Sequence, residues 1–192
     1  MADDHVTDRA PGAPRTPGAT VWLTGLPSAG KSTIARGAAA ALRSAGRPVH
    51  VLDGDELRAH LTADLGFSRR DRDTNVGRVG YVAHLLASHG VTVLVPVIAP
   101  YADARRAVRE RHAAAGVPYV EVHVATPVEV CAIRDVKGLY ARQARGELSG
   151  LTGVDDPYEP PAAPDLRLPA HEQSRAESAR ALVALLREKG LA

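Results

Sequence analysis

This sequence of 192 residues has few cysteine and aromatic residues, and neither sign of charge is in large excess. The single cysteine, Cys131, excludes an intramolecular disulfide and is typical of a protein from the reducing cytoplasm, where we expect this chain. The net charge of +2 is too small to indicate a nucleic-acid or membrane partner, and we predict neither. The longest apolar stretch, Val91–Ala99, is about half of a membrane span.

The remaining composition is that of an ordinary globular domain. Hydrophobic residues make up 45% of the chain and charged residues 24%, and the length suits one domain. Residues 1–19 are rich in Asp, Arg, Pro and Gly and lack an apolar run, which excludes a signal peptide and favours a disordered leader. We therefore predict a leader over 1–19 and one folded domain over 20–192.

The most informative segment is a phosphate-binding loop of the form G-x-x-x-x-G-K-[ST]. A strand-like run precedes it and an alanine-rich helical run follows it, as this loop requires. Lys31 is placed to reach the β- and γ-phosphates of a nucleoside triphosphate, and the Ser32 hydroxyl to hold Mg²⁺. The predicted nucleotide-binding residues are Gly25, Leu26, Pro27, Ser28, Ala29, Gly30, Lys31, Ser32 and Thr33.

Strand-like and helix-like runs alternate along the chain, which predicts an α/β fold. The strands are expected at Val21–Thr24, Val49–Asp53, Val91–Ile98, Tyr119–Val124 and Leu166–Leu168. The helices are expected at Lys31–Ala45, Asp55–Ala63, Arg69–Ser88, Ala102–Ala115, Pro127–Asp135 and Ser174–Lys189. This order predicts a P-loop NTPase-type three-layer sandwich, with a five-stranded, mainly parallel sheet and helices on both faces. Residues 138–164 lack an apolar period, and we interpret them, from about Lys137, as a lid over the nucleotide.

Two carboxylates follow the second predicted strand, at the sheet edge where ligands bind in parallel α/β folds. Phosphoryl transfer needs a carboxylate that accepts the proton of the attacking hydroxyl and oxygen ligands for Mg²⁺. We predict Asp53 for both tasks. Asp55 is either a second site residue or only the N-cap of the next helix.

An acceptor site is indicated by the polar segment that follows. Phe67 is the sole phenylalanine and lies between Gly and Arg residues, where its ring can stack on a base instead of joining the core. Arg72 and Asn75 are three residues apart and share a helix face. Arg suits phosphate or sulfate oxygens and Asn suits a base or sugar; the alternative is a solvated charged helix.

Together these segments resemble the adenylyl-sulfate kinase (APS kinase) family from about Val21 to the C-terminus. The similar segments are VWLTGLPSAGKST (21–33), LDGDELR (52–58), LGFSRRDRDTN (65–75), PVIAPY (96–101), VCAIRDVKGLYARQARGEL (130–148) and LTGVDDPYEPPAAPDL (151–166). The last two are the most specific, because a phosphate-binding loop alone requires neither. The resemblance implies transfer of the γ-phosphoryl group of ATP to the 3′-hydroxyl of adenosine 5′-phosphosulfate (APS), which gives PAPS and ADP.

The resemblance also implies roles for individual residues and a homodimer as one possible assembly. Arg134 would lie near the ATP adenine, and Lys137 would act as a catalytic cation beside the transferred phosphoryl group. Lys31 and Asp53 would complete the catalytic set. The acceptor would be bound by Asp55, Arg58, Phe67, Arg72, Asn75, Ile98, Lys137 and Leu151.

Five positions depart from the pattern common in the family. They are Gly77, Ala99, Ala102, Ala125 and Leu151, and the last replaces an aromatic ring that would help to sandwich the acceptor adenine. Because the altered positions cluster on the acceptor side, a kinase of the same fold that phosphorylates another nucleotide conjugate or a small alcohol stays open. A non-catalytic ATP-binding regulator is a third reading, but the complete set of Lys31, Asp53 and Lys137 argues against it.

Overall fold

A computed structural model describes residues 18–192. The strands are β1 Ala19–Thr24, β2 Val49–Val51, β3 Thr92–Val95, β4 Tyr119–Val124 and β5 Leu166–Leu168. The helices are α1 Lys31–Ser44, α2 Gly54–His60, α3 Arg69–Ser88, α4 Ala102–Ala114, α5 Val128–Arg134, α6 Leu139–Ala144 and α7 Arg175–Glu188. The predicted leader lies outside the described residues except for Gly18 and Ala19, and Ala19 already begins β1.

The strands form one parallel sheet in the order β2-β3-β1-β4-β5, which confirms the predicted fold class. β1 is central, so Val21 pairs with Leu94 on one side and with Val120 on the other. All six residues of β1 are buried, because helices cover both faces of the sheet. The phosphate-binding loop therefore starts from the most rigid strand.

Each face of the sheet has its own hydrophobic cluster. Since side chains alternate along a strand, Leu23 faces the cluster of α1 and α7, while Trp22 faces the cluster of α3 and α4. A Cβ atom on Gly80 of α3 would lie 2.6 Å from a methyl group of Val108 on α4, so these helices pack too closely for any larger residue. Both clusters bury their large side chains almost completely.

The strands β2 and β3 end earlier than predicted, and their carboxyl ends lie at the same edge of the sheet. β3 stops at Val95, after which the backbone turns and the Val97 amide donates to the Val95 carbonyl at 3.0 Å. β2 stops at Val51, because Asp53 leaves the strand to begin α2. Among residues 18–192, no helix has both the length and the apolar character that crossing a membrane requires.

The helix α6 was not predicted and lies in the segment expected to be an irregular lid. The Asp135 carboxylate accepts hydrogen bonds from the amides of Tyr140 and Ala141, both at 3.0 Å, and so satisfies the free N–H groups of the first turn. The Tyr140 ring is buried and its hydroxyl donates to the Pro27 carbonyl at 3.1 Å. The expectation of an irregular segment from residue 138 onward is therefore wrong for 139–144.

Candidate active site

A single cleft of about 570 Å³ lies beyond the carboxyl ends of the central strands. It brings together residues predicted separately for nucleotide and acceptor. Of these, the structure places at the cleft Pro27, Ser28, Ala29, Gly30, Lys31, Ser32, Thr33, Asp53, Asp55, Arg58, Phe67, Arg72, Asn75, Ile98, Arg134 and Lys137. Gly25, Leu26 and Leu151 are not part of the lining.

The phosphate-binding loop has a strained backbone that its neighbours hold in place. Gly30 has a φ of 107°, which favours glycine, and Ser28 adopts a φ of 62° despite its side chain. The Thr126 hydroxyl donates to the Ala29 carbonyl at 2.9 Å. At Gly25 (φ 151°), a Cβ atom would lie 2.6 Å from the Val124 carbonyl oxygen, so no larger residue fits there. The loop is thus shaped before any ligand enters it.

Lys31 is the buried cation of the loop. Its ammonium group donates to the carbonyl oxygens of Gly25 at 2.9 Å and of Leu26 at 2.7 Å. Burial lowers the pKa of Lys31 to about 8, and the nearby Lys137 charge adds to this effect, although Cys131 and the two aspartates oppose it. A phosphate group placed beside this ammonium would favour its protonated form.

Asp53 is the N-cap of α2. One carboxylate oxygen, Oδ1, accepts from the Asp55 amide at 3.2 Å, and Oδ2 accepts from the Arg36 guanidinium at 2.9 Å. The suggestion that Asp55 caps this helix is therefore wrong, because the cap is Asp53. No sequence motif includes Arg36, although its position four residues after Ser32 on α1 places both on one helix face.

Asp55 points across the cleft to the predicted lid. Both of its carboxylate oxygens accept hydrogen bonds from the Lys137 ammonium group. Both side chains are largely exposed, so this ion pair contributes little to stability. It nevertheless places the lid cation beside the first turn of α2, at the entrance to the cleft.

The acceptor side of the cleft carries an exposed aromatic ring. Phe67 is 64% exposed, which excludes the core role that a lone phenylalanine would normally have. The Arg58 guanidinium carbon lies 4.3 Å from the ring centroid, within the range of a cation–π contact. Below them Asn75 is buried, and its carbonyl oxygen accepts from the Thr62 hydroxyl at 2.9 Å.

Arg72 is buried and hydrogen-bonded to two separate segments. Its Nε donates to the Phe67 carbonyl at 2.8 Å, while its two terminal nitrogens donate to the Thr152 hydroxyl at 2.7 Å and to the Gly150 carbonyl at 2.6 Å. Arg72 therefore joins the loop that carries Phe67 to the segment after α6. Sequence analysis missed this contact, because the partners are about eighty positions apart.

Leu151 does not lie where its position in the motif predicts. The side chain is only 5% exposed and packs with Ala29, Val124 and Tyr140 in the cluster beneath α1. The Asp155 carboxylate accepts from the Leu151 amide at 2.6 Å and fixes the backbone in this turn. The Leu151 side chain therefore lies outside the cleft lining in this structure, and its contact with an acceptor base stays a prediction.

Arg134 closes the other end of the cleft. Its guanidinium donates to the carbonyl oxygens of Ala29 at 3.3 Å and of Ala170 at 2.9 Å, and so joins the phosphate-binding loop to the chain after β5. Arg175 and Ser178 on α7 line the same end. Neither was predicted, because no motif marks them.

The second half of the predicted lid is hydrogen-bonded to β1 and α4. The Tyr158 hydroxyl lies 3.0 Å from the Thr24 hydroxyl, and the Glu159 carboxylate accepts from the Ala102 amide at 2.7 Å. The Glu159 carbonyl also accepts from the buried Arg105 guanidinium at 2.7 Å. Movement of a lid is therefore more plausible for residues 136–149 than for 150–164, and it stays a prediction.

A parallel sheet with this strand order, a phosphate-binding loop after its central strand, and a cleft lined by paired carboxylates and cations define a P-loop kinase. Comparison with known sequences gives the particular family. The adenylylsulphate kinase family matches residues 17–169, and the chain belongs to it.

Individual relatives resemble the chain over most of its length. It is 48% identical to an adenylyl-sulfate kinase of Myxococcus xanthus over 177 residues, which is 92% of this chain and 95% of the relative. An APS kinase of Mycobacterium tuberculosis, solved in complex with AMPPNP and APS, is 47% identical, with a TM-score of 0.87, 89% of this chain covered and 98% of that one. A hexameric APS kinase of Thiobacillus denitrificans is 36% identical, with a TM-score of 0.70, over 93% of this chain and 30% of that one.

Proposed function

We propose that this protein transfers the γ-phosphoryl group of ATP to the 3′-hydroxyl of APS and so forms PAPS and ADP. The observation that carries the proposal is the single cleft that holds the phosphate-binding loop at one end, Phe67 and Arg58 at the other, and Asp53 between them. Family membership supports it, as does the similar Mycobacterium tuberculosis structure with APS and an ATP analogue bound.

On the ATP side, the loop amides, Lys31 and Arg134 would bind the nucleotide. Lys31 would exchange its two carbonyl partners for phosphate oxygens, which are stronger acceptors for a cation. The Ser32 hydroxyl and the Asp53 carboxylate lie on the cleft surface and offer the hard oxygen ligands that Mg²⁺ prefers, so these residues fit the metal. When bound with ATP, Mg²⁺ supplies neutralisation of the charge on the β- and γ-phosphates.

On the acceptor side, the Phe67 ring would stack on the adenine of APS. Its exposed position leaves room for a base, and the Arg58 cation on the ring would move to the phosphosulfate group when the base arrives. Asn75 and Arg72 would border the sugar and the anion, and Ile98 would border the base. Asp55 holds Lys137 at the entrance until the lid closes.

In the transfer step, the 3′-oxygen of the acceptor attacks the γ-phosphorus. The bond between that phosphorus and the β–γ bridging oxygen breaks, ADP leaves, and Asp53 accepts the proton of the hydroxyl. Lys137 would release Asp55 and donate to the transferred phosphoryl group, so its charge acts where negative charge is redistributed.

The position of Leu151 supports one alternative, a kinase with a different acceptor. Because this side chain lies in the core, an adenine would meet an aromatic ring on one face only, that of Phe67. The missing second ring would weaken the binding of a small alcohol, or of a nucleotide conjugate with another base, less than it weakens the binding of APS. Stacking on one aromatic ring contributes about 1–3 kcal/mol, so affinities for acceptors decide between these readings.

For assembly and location, we propose a homodimer that acts in the cytoplasm. The free, buried Cys131 suits a reducing compartment. The hexameric relative indicates that larger assemblies occur in the family. Light scattering of the purified protein gives its mass in solution and so distinguishes a monomer, a dimer and a hexamer. A stable monomer would contradict the proposed dimer without affecting the proposed chemistry.

The activity test measures ADP release with Mg-ATP and a panel of acceptors: APS, other nucleotides and small alcohols. We expect turnover with APS and its near absence in Asp53→Asn, which preserves the shape of the cap but accepts no proton. The matched control is Asp55→Asn, in which the Lys137 contact is weakened and turnover persists at a reduced rate. Turnover of another acceptor but not APS would overturn the proposed substrate, and full activity of Asp53→Asn would overturn the proposed base.

A further inference from the structure

Arg36 reaches the proposed base from α1, although no motif includes it. It lies four residues after Ser32, and its guanidinium lines the cleft. One terminal nitrogen donates to Oδ2 of Asp53 at 2.9 Å. Among the ion pairs of residues 18–192, this is the one that Asp53 makes.

The contact matters because it fixes the oxygen that the helix cap leaves free. Oδ1 of Asp53 accepts from the Asp55 amide at 3.2 Å, and this bond alone would let the carboxylate turn about its Cβ–Cγ bond. With Arg36 on Oδ2, both oxygens are held and the plane of the carboxylate is defined. Each carboxylate oxygen accepts more than one hydrogen bond, so acceptor sites stay free for a substrate hydroxyl.

The exposure of the two side chains indicates that their ion pair affects the orientation of Asp53 more than the stability of the protein. The Arg36 side chain is 69% exposed and that of Asp53 only 14%. Since solvent screens such a pair, it adds little to the free energy of unfolding. The pair between Arg105 and Glu121 differs, because both side chains are buried there. Replacing Arg36 therefore changes mainly the orientation of Asp53.

We infer that Arg36 is a positioning residue for phosphoryl transfer, which orients the Asp53 carboxylate toward the acceptor hydroxyl. This inference rests on the proposed function, in which Asp53 accepts that proton. In this role Arg36 acts through Asp53 and not directly on the hydroxyl or the transferred group. The catalytic carboxylate is then fixed from two directions, by the start of α2 and by the side of α1.

The test begins with Arg36→Ala and Arg36→Lys. A misdirected base slows the chemical step without weakening binding, so we expect kcat of Arg36→Ala to fall roughly tenfold while KM for ATP and APS changes less than about twofold. Arg36→Lys keeps a cationic donor and should recover most of kcat. The dissociation constant of ADP measured without Mg²⁺ should be unchanged in both, because Arg36 is not assigned to the nucleotide.

Arg43→Ala is the matched control, since Arg43 is an exposed arginine on the same helix. Its guanidinium donates to the Val49 carbonyl at 3.2 Å, and it is not part of the cleft lining. It should turn over like the wild type. In an Asp53→Asn background, followed in single-turnover incubations, adding Arg36→Ala should produce no further loss, because the two residues act as a unit.

The outcomes separate the two proposals. A wild-type protein that does not phosphorylate APS overturns the proposed function. An active wild type with unchanged kcat in Arg36→Ala overturns the positioning role alone. A raised KM for ATP, weaker ADP binding, or a further loss in the Asp53→Asn background would assign Arg36 to the nucleotide and overturn it as well.

Discussion

Replacing Arg72 by lysine tests whether this residue only binds the acceptor or also holds the acceptor pocket together. Lysine keeps the charge, but its single ammonium group cannot reach the Phe67 carbonyl, the Thr152 hydroxyl and the Gly150 carbonyl together. The Phe67 carbonyl lies on an exposed loop and can bind water instead. Thr152 is 1% exposed, so its hydroxyl would lose a partner that water cannot readily replace.

The magnitude follows from the bonds that are lost. Hydrogen bonds to a charged group contribute about 1.5–3 kcal/mol each, and Arg72→Lys removes one or two without replacement. Arg72 is only 7% exposed, so solvent screening reduces this little. We expect the free energy of unfolding to fall by about 2–4 kcal/mol and KM for APS to rise, because the Phe67 loop loses its support.

Urea denaturation measures the stability change, and hydrogen exchange of the amides of residues 150–156 locates it. Arg70→Lys, on the exposed side of the same helix, is the control and should change neither. If Arg72→Lys raises KM for APS while the free energy of unfolding and the exchange rates stay at wild-type values, Arg72 is only a ligand of the acceptor. The structural role argued from its three hydrogen bonds would then be refuted.

Three further predictions concern other parts of the cleft. Binding of ADP with Mg²⁺ at pH 8.5 should take up most of a proton, because the pKa of Lys31 is about 8 in the free protein and rises beside phosphate. Calorimetry in two buffers of different ionisation enthalpy measures this proton uptake, and the absence of uptake would contradict the prediction. Trypsin should cut after the exposed Arg142 and Arg145 readily in the free protein and slowly with ADP and acceptor, whereas equal rates would argue against movement of a lid over 136–149. Leu151→Phe should lower the free energy of unfolding by about 1–3 kcal/mol without tightening APS binding, because the pocket in the core is already filled; a lower KM for APS would show that this side chain reaches the acceptor.

The elements that hold the nucleotide were predictable from sequence because their signals are local. The phosphate-binding loop, the strand before it and the helix after it lie within twenty-six residues, and the structure has each of them. The parallel sheet followed from apolar runs that alternate with helical ones, since strands covered on both faces need continuous hydrophobic character. Local pattern sufficed wherever neighbouring residues decide the structure.

Sequence failed where distant residues decide it. The helix α6 was missed for another reason, because its support by the nearby Asp135 carboxylate and the burial of Tyr140 leave no apolar period in so short a helix. The core position of Leu151 and the triple contact of Arg72 depend on the path of residues 150–156 over the sheet. Motif similarity placed both residues near an acceptor, but it carries no information on which way a side chain turns.

Three cations of the cleft have polar partners within the protein. Lys31 is bound by two loop carbonyls, Asp53 holds Arg36, and Asp55 holds Lys137. Binding of a nucleotide would then exchange the internal partners of Lys31 and Lys137 for phosphate oxygens, so the buried ammonium group of Lys31 has a polar partner both before and after binding. These two cations come from the phosphate-binding loop and from the segment between α5 and α6. In the proposed catalytic arrangement, Lys31 and Lys137 have exchanged their internal partners for ligand oxygens while Arg36 stays on Asp53, so we expect transfer of the phosphoryl group to water to be disfavoured until the acceptor is bound.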